Sequence, residues 1–231
     1  MAPFYRPPAG ARWPARAAAW LLQRLGWRLV LATPVPPRCV VVFYPHTSNW
    51  DFPVGLLARW ALGRPVHWVG KDSLFRWPVR RLLEGLGGIP VNRRQRTGFI
   101  DRLAAEFRQR TTLWLVIAPE GTRARTDFWR SGFYHLARTA DVPLALAYGD
   151  WRTRELGVGR YVTLCGDVAA DMAEIAAFYA GKHGRVPGRQ GAIRLRSEPT
   201  PIPGGVIDQP AEARTDNPRA LSGNERTISG R

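Results

Sequence analysis

The sequence predicts a single α/β domain in which a central, largely parallel (mixed) sheet is flanked by helices. Short apolar runs rich in β-branched and aromatic residues alternate along the chain with helical stretches. Those runs are apolar at consecutive positions rather than at every second one, which fits strands covered on both faces. The chain has 231 residues, 45% of them hydrophobic, enough for one core of this kind.

Residues 1–13 are Pro-rich and are expected to be mobile. Residues 14–32 read as an amphipathic helix. On a helical wheel Arg16, Gln23, Arg24 and Arg28 fall within an arc of roughly 140°, opposite Leu21, Leu22, Leu25, Leu29 and Val30. Trp13, Trp20 and Trp27 accompany this pattern, and no acid precedes Asp51. A basic, tryptophan-bearing helix suits the interface of an anionic membrane, and a helix packed on the domain is the other reading. The chain lacks a run of about 18 uncharged apolar residues, so a transmembrane helix is not expected. Charge spread through the segment argues against a cleavable signal peptide.

Residues 33–181 carry the domain. Strands are expected at Cys39–Tyr44, Val66–Val69, Ile89–Val91, Leu113–Ala118, Leu144–Tyr148 and Tyr161–Leu164. Helices are expected between them at Asn49–Leu62, Arg76–Leu86, Gly98–Arg110 and Ser131–Ala140, with one more at Ala170–Ala180. From Lys182 to Arg231 Pro, Gly, Arg, Ser and Asn dominate, and a disordered tail is expected. Cys39 and Cys165 lie in apolar runs, give neither metal spacing nor a disulfide framework, and are expected in the core of a protein from a reducing compartment.

The formal net charge is +16, and Lys71 and Lys182 are the only lysines. Arginine forks match phosphate groups, so an anionic partner is expected: nucleic acid, a membrane surface or a phosphorylated small molecule. The ten tryptophans favour the membrane interface.

Three constellations carry chemistry. In Pro45-His46-Thr47-Ser48-Asn49-Trp50-Asp51 a histidine follows a strand, and a carboxylate stands in what reads as the first turn of the next helix. A carboxylate reaching back to one ring nitrogen would fix the tautomer and leave the other nitrogen as a general base. Lys71, in Gly70-Lys71-Asp72-Ser73-Leu74-Phe75, leads from a second strand into a helix, and Arg93 follows a third strand, where a cation can meet a phosphate. Pro119-Glu120-Gly121-Thr122-Arg123 follows a fourth strand; Gly121 permits a tight turn, and Arg123 can face the crevice that His46 faces. A base that activates a hydroxyl, together with cations that hold an anionic substrate, describes acyl transfer.

The order and spacing of His46-x-Ser48-x-x-Asp51, Lys71, Gly88-Ile89 with Arg93, Pro119 to Arg123 and Val142-Pro143 resemble the PlsC-type glycerolipid acyltransferase family over roughly residues 39–150. The resemblance implies a glycerol-3-phosphate acyltransferase-like fold and a catalytic dyad of His46 and Asp51. It further implies acceptor-phosphate binding by Arg93 and Arg123, with Lys71 nearby. Glu120, Gly121 and Thr122 would belong to the acceptor-binding element, with Glu120 serving acceptor binding or the architecture of the site. Arg130 and Gly132 match a basic-x-Gly pair beyond that element. Pro45 and Asn92 depart from the family pattern, standing where an asparagine and an aspartate often occur.

The same resemblance implies a peripheral enzyme on the cytoplasmic face of the cell membrane. It would move a fatty acyl chain from acyl-carrier protein or acyl-CoA to a lysophospholipid or glycerol-phosphate acceptor, with no metal and no further cofactor. A lyso-aminolipid acceptor is the nearer alternative. A basic nucleic-acid-binding protein is the farther one, which the scattered arginines and the lack of an aromatic-basic reader motif disfavour, so no nucleic-acid partner is expected. A Gly-x-Ser-x-Gly elbow, a Walker loop and a Gly-x-Gly-x-x-Gly turn are all missing from the sequence. His67 and His135 are expected to be structural.

Overall fold

The computed structural model describes residues 3–91 and 98–196, which belong to one compact unit. Seven strands form one sheet in the order β1-β7-β6-β2-β5-β3-β4. They are β1 (Arg28–Leu31), β2 (Arg38–Phe43), β3 (Val66–Lys71), β4 (Gly88–Val91), β5 (Leu113–Ile117), β6 (Leu144–Asp150) and β7 (Glu155–Val162). All neighbours are parallel except β6 and β7, which form an antiparallel hairpin. The sheet is therefore mixed but mostly parallel, as the continuous apolar runs predict.

Helices cover both faces. On one side Val40, Val42, Leu115, Leu144 and Leu146 meet α4 (Phe99–Gln109), α5 (Gly132–Ala140) and α6 (Val168–Tyr179). On the other, Cys39, Val41, Trp114 and Ala145 point away from that cluster, on the side where α1 (Trp13–Arg24) packs against α2 (Asp51–Leu62). Successive residues of β2 thus serve opposite cores, which is the period-two geometry of a strand buried on both faces. A short α3 (Arg80–Gly85) precedes β4.

Several expectations are corrected. The helix expected over 14–32 ends at Arg24, and Arg28–Leu31 is an edge strand paired with β7. Leu29 and Val30 also satisfy a helical wheel, but as strand residues Leu29, Val30 and Leu31 are all buried, and their backbone groups join the ladder. Trp27 is buried rather than presented to an interface, and it packs edge-on against Trp151 at 4.9 Å. The opening segment is held by a hydrogen bond from the Tyr5 amide to the Leu29 carbonyl and by a bridge from Phe4 to Val30. Cys39 is buried, its thiol pushed up by burial, whereas Cys165 is exposed just after β7. The packed body reaches Arg196 instead of ending at 181, because residues 182–196 run as a strap over the loops that follow the carboxyl ends of β2 and β6. His67 lies on β3 and His135 on α5.

Strand directions place the site. Since β1 is parallel to β7, and β7 is antiparallel to β6, β1 starts at the edge of the sheet where β2, β5 and β3 end. The end of α1, the β6–β7 turn and the carboxyl ends of β2, β5 and β3 therefore share one edge. In open α/β sheets that is where ligands bind.

Candidate active site

β2 ends at Phe43, and the chain turns through Tyr44–Trp50 into α2, whose first residue is Asp51. An acid there is favoured by the helix dipole and by the free amides of the first turn. The Asp51 side chain reaches back and organises the loop. Its Oδ2 accepts from the Thr47 amide at 3.1 Å and the Ser48 amide at 3.0 Å, and lies 3.1 Å from His46 Nδ1. The imidazole contact has the distance of an ion pair without the alignment of a hydrogen bond. Asp51 Oδ1 accepts the indole N–H of Trp151 at 2.8 Å. Asp51 is buried, while the His46 side chain is 20% exposed with Nδ1 wholly covered, so the open side of the ring is the edge away from Asp51.

Glu120 follows β5, the neighbour of β2. Its two carboxyl oxygens each lie 3.2 Å from the His46 amide, which donates to them. Burial, partly offset by this amide and reinforced by the Asp51 charge, pushes the Glu120 carboxyl up to about 8. At neutral pH Glu120 is thus mostly protonated. In this position Glu120 holds the backbone of the histidine loop.

The sign of that shift gives a prediction. Folding keeps a proton on Glu120 from its ordinary 4.5 up to about 8, so the stabilising contribution is complete below about 4.5 and is lost as pH rises through about 8. Unfolding free energy measured by urea titration should fall between pH 5 and 8. Glu120→Gln, with no proton to lose, should flatten that fall. An unchanged slope in the Gln variant places the titration elsewhere.

Gly121 has φ 65°, and an added Cβ there would collide with the Arg130 side chain lying across it. The Arg130 amide donates to the Pro119 carbonyl at 2.9 Å, which ties the two halves of this loop together. Thr122 Oγ1 accepts the Ala124 amide at 3.1 Å, and Thr122 and Arg123 are exposed. Lys71 is exposed at the end of β3, two strands from β2, about 10 Å across the sheet. Arg93 and Asn92 lie outside the described residues. His46 therefore contacts Asp51 through its ring and Glu120 through its amide, with Arg123, Arg130 and Lys71 along the same edge. Among the described residues, His, Cys, Asp and Glu form no group of three or more that could hold a metal ion.

Two parts of the site carry no sequence signal. Trp151 comes from the β6–β7 turn, 100 residues after Asp51. Thr47, fully buried, accepts from the Val186 amide on its Oγ1 at 3.1 Å and from Arg189 Nη1 on its carbonyl at 3.4 Å. Both donors belong to the strap. Its Gly184 lies so close that an added Cβ would stand 2.5 Å from Thr47 Oγ1.

Among solved structures, the crystal structure of the 1-acyl-sn-glycerophosphate acyltransferase PlsC from Thermotoga maritima matches with 19% identity and a TM-score of 0.45. The match covers 64% of this chain and 66% of that one. A likeness that distant assigns no substrate to this protein. Among curated proteins none matches. The acyltransferase family model matches residues 31–146, half of the chain, from the last residue of β1 into β6, with His46, Asp51 and Glu120 inside it. The chain belongs to the acyltransferase family.

Proposed function

We propose that this protein transfers a fatty acyl chain from a thioester donor, acyl-CoA or acyl-carrier protein, to the free hydroxyl of a lysophospholipid or glycerol-phosphate acceptor. The observation that carries this reading is His46 Nδ1 at 3.1 Å from the buried Asp51 carboxylate, at the carboxyl edge of the sheet. With Nδ1 turned to Asp51, Nε2 is the nitrogen left to take the acceptor's hydroxyl proton. The oxygen attacks the thioester carbonyl carbon as that proton leaves. The tetrahedral oxyanion then collapses, the carbon–sulfur bond breaks, and the imidazolium returns its proton to the departing thiolate. Asp51 stabilises the imidazolium between these steps. The route needs no acyl-enzyme and no added cofactor.

Arg123, Arg130 and Lys71 give this edge the positive charge that an acceptor phosphate requires, and Arg93 would add to it by resemblance. The test is thiol release from acyl-CoA and from acyl-carrier protein across a panel of phosphate-bearing lysolipids, glycerol phosphate and lyso-aminolipids. Turnover with the phosphate-bearing acceptors is expected. Arg123→Ala should raise the acceptor KM about tenfold or more with little effect on the donor KM. Turnover confined to a lyso-aminolipid reassigns the cations to a carboxylate, and no thiol release with any pair removes the reading.

A membrane surface is the proposed setting. No helix among the described residues is long and apolar enough to cross a bilayer. Trp13 and Trp20 of α1, Leu25 just after it and Trp50 ahead of α2 are exposed, with Arg16 and Arg24 among them. Around α3, Trp77 is 92% exposed, next to Leu74, Leu82, Arg76 and Arg81. Exposed indoles interleaved with arginines suit an anionic interface. Deleting residues 14–32 would remove β1 and the buried Leu22 and Trp27, so substitution is the informative change. Trp13→Ser with Trp20→Ser should weaken sedimentation with phosphatidylglycerol vesicles at least severalfold while short-chain, soluble acceptors still turn over. Unchanged sedimentation moves the anchor to another face, such as that of Trp77.

A further inference from the structure

We propose that Trp151 is a positioning residue for the dyad: its indole N–H fixes the Asp51 carboxylate so that Oδ2 stays against His46. The inference rests on the dyad reading above. Oδ2 serves three neighbours, the Thr47 and Ser48 amides and His46 Nδ1. Oδ1 faces away, and the Trp151 indole meets it at 2.8 Å. Removing that donor would leave a buried carboxylate oxygen unpaired, which costs more than an exposed one because water cannot replace the lost partner. The carboxylate would then rotate to recover a donor, and rotation takes Oδ2 from the imidazole.

The donor's chemistry fits the task. An indole N–H carries no charge and only donates. It orients Asp51 without neutralising it, whereas a cation at the same place would compete with the imidazolium for the anion. Trp151 is itself held rigidly. Its amide donates to the His183 carbonyl at 2.8 Å, and Asp150 Oδ1 pins the turn through the Arg152 and Thr153 amides at 2.9 and 3.3 Å. The buried Trp27 packs edge-on against its ring, and the Arg154 and Arg185 guanidinium groups stack on it at 5.4 and 4.7 Å from the ring centre. The indole also walls an apolar groove of about 340 Å³ with Leu25, Trp50, Pro53 and Leu57. Alanine would therefore open the groove as well as delete the donor, so ring-bearing replacements are the useful ones.

Trp151→Phe keeps an aromatic ring and loses the N–H. Trp151→His loses the benzo ring, yet its Nε2 stands at the same bond count from Cβ as the indole nitrogen. Thiol release from acyl-CoA is measured with lysophosphatidic acid as acceptor, in wild type, both variants, Asp51→Asn, and Asp51→Asn with Trp151→Phe. Trp151→Phe is expected to lower kcat about tenfold with both KM values within about twofold, and Trp151→His to recover most of that loss. In the Asp51→Asn background, Trp151→Phe should cost nothing further in the residual rate. Wild-type kcat in Trp151→Phe overturns the proposal, as does a folded Trp151→His that is slower than the Phe variant. An equal cost in both Asp51 backgrounds overturns it too, since Trp151 would then act by packing alone. Should Trp151→Phe fail to fold, a folded but inactive Trp151→His still overturns the assignment. If Asp51→Asn alone turns over at the wild-type rate, the dyad itself falls. If Asp51→Asn is impaired and Trp151→Phe is not, only the role of Trp151 falls.

Discussion

Replacing His46 by alanine is expected to lower acyl transfer by about a hundredfold or more while leaving the melting temperature near that of the wild type. The two halves of this result have separate causes. Activity falls because the general base is gone, and the other described histidines lie elsewhere, on β3, on α5 and in the strap. Stability persists because the motif loop is held through groups that alanine retains. The residue 46 amide still donates to Glu120, and the Thr47 and Ser48 amides still donate to Asp51. The imidazole adds no aligned hydrogen bond through Nδ1. Asp51→Asn should behave differently. It replaces an acceptor that serves two amides with a group that is half donor, so both turnover and melting temperature should drop. Thiol-release kinetics beside thermal melts of both variants separate these outcomes. Near-wild-type turnover in a folded His46→Ala protein sinks the mechanism.

This division between side-chain chemistry and backbone support also marks what could be read from the sequence. The expected strands at Cys39–Tyr44 and Leu113–Ala118 lie within a residue of β2 and β5, because β-branched runs buried on both faces have a local signature. The contact of His46 with Asp51 follows from short separation, five residues across a strand-to-helix turn. The Glu120 carboxyl under the His46 amide spans 74 residues, and only the adjacency of β2 and β5 brings the two together. Its residue type is legible in the motif, but its partner is not. Trp151 and the strap are illegible for a related reason: their contacts are single side chains or backbone groups with no periodicity. β1 reads as helix because Leu29 and Val30 satisfy a wheel as readily as a ladder, and only the distant β7 decides between them. The low-complexity composition after Lys182 conceals backbone groups that bond to the motif loop.

Those bonds make the strap the site of the second large effect. A chain ending at residue 181 is expected to lose at least tenfold in turnover and to melt at a lower temperature, whereas a chain ending at Arg196 should keep both. The strap covers Thr47 completely and supplies the Val186 amide to its Oγ1. It accepts the Trp151 amide at the His183 carbonyl and the Tyr44 hydroxyl at the Gly191 carbonyl. It is closed on itself by Gln190, whose amide group accepts from the Gly184 amide and donates to the Lys182 carbonyl, each at 2.9 Å. Farther on, the Trp129 amide donates to the Arg194 carbonyl at 2.7 Å. Each lost bond to a buried group costs about 1 kcal/mol, and several fall on the residues that flank His46 or orient Trp151. Gly184→Ala tests the same contact without truncation. Its Cβ would press on Thr47 Oγ1, so the loop carrying His46 must shift, and kcat should fall more than the melting temperature does. Full activity in the chain ending at 181 makes the strap a passive cover and leaves the motif loop held by Asp51 and Glu120 alone.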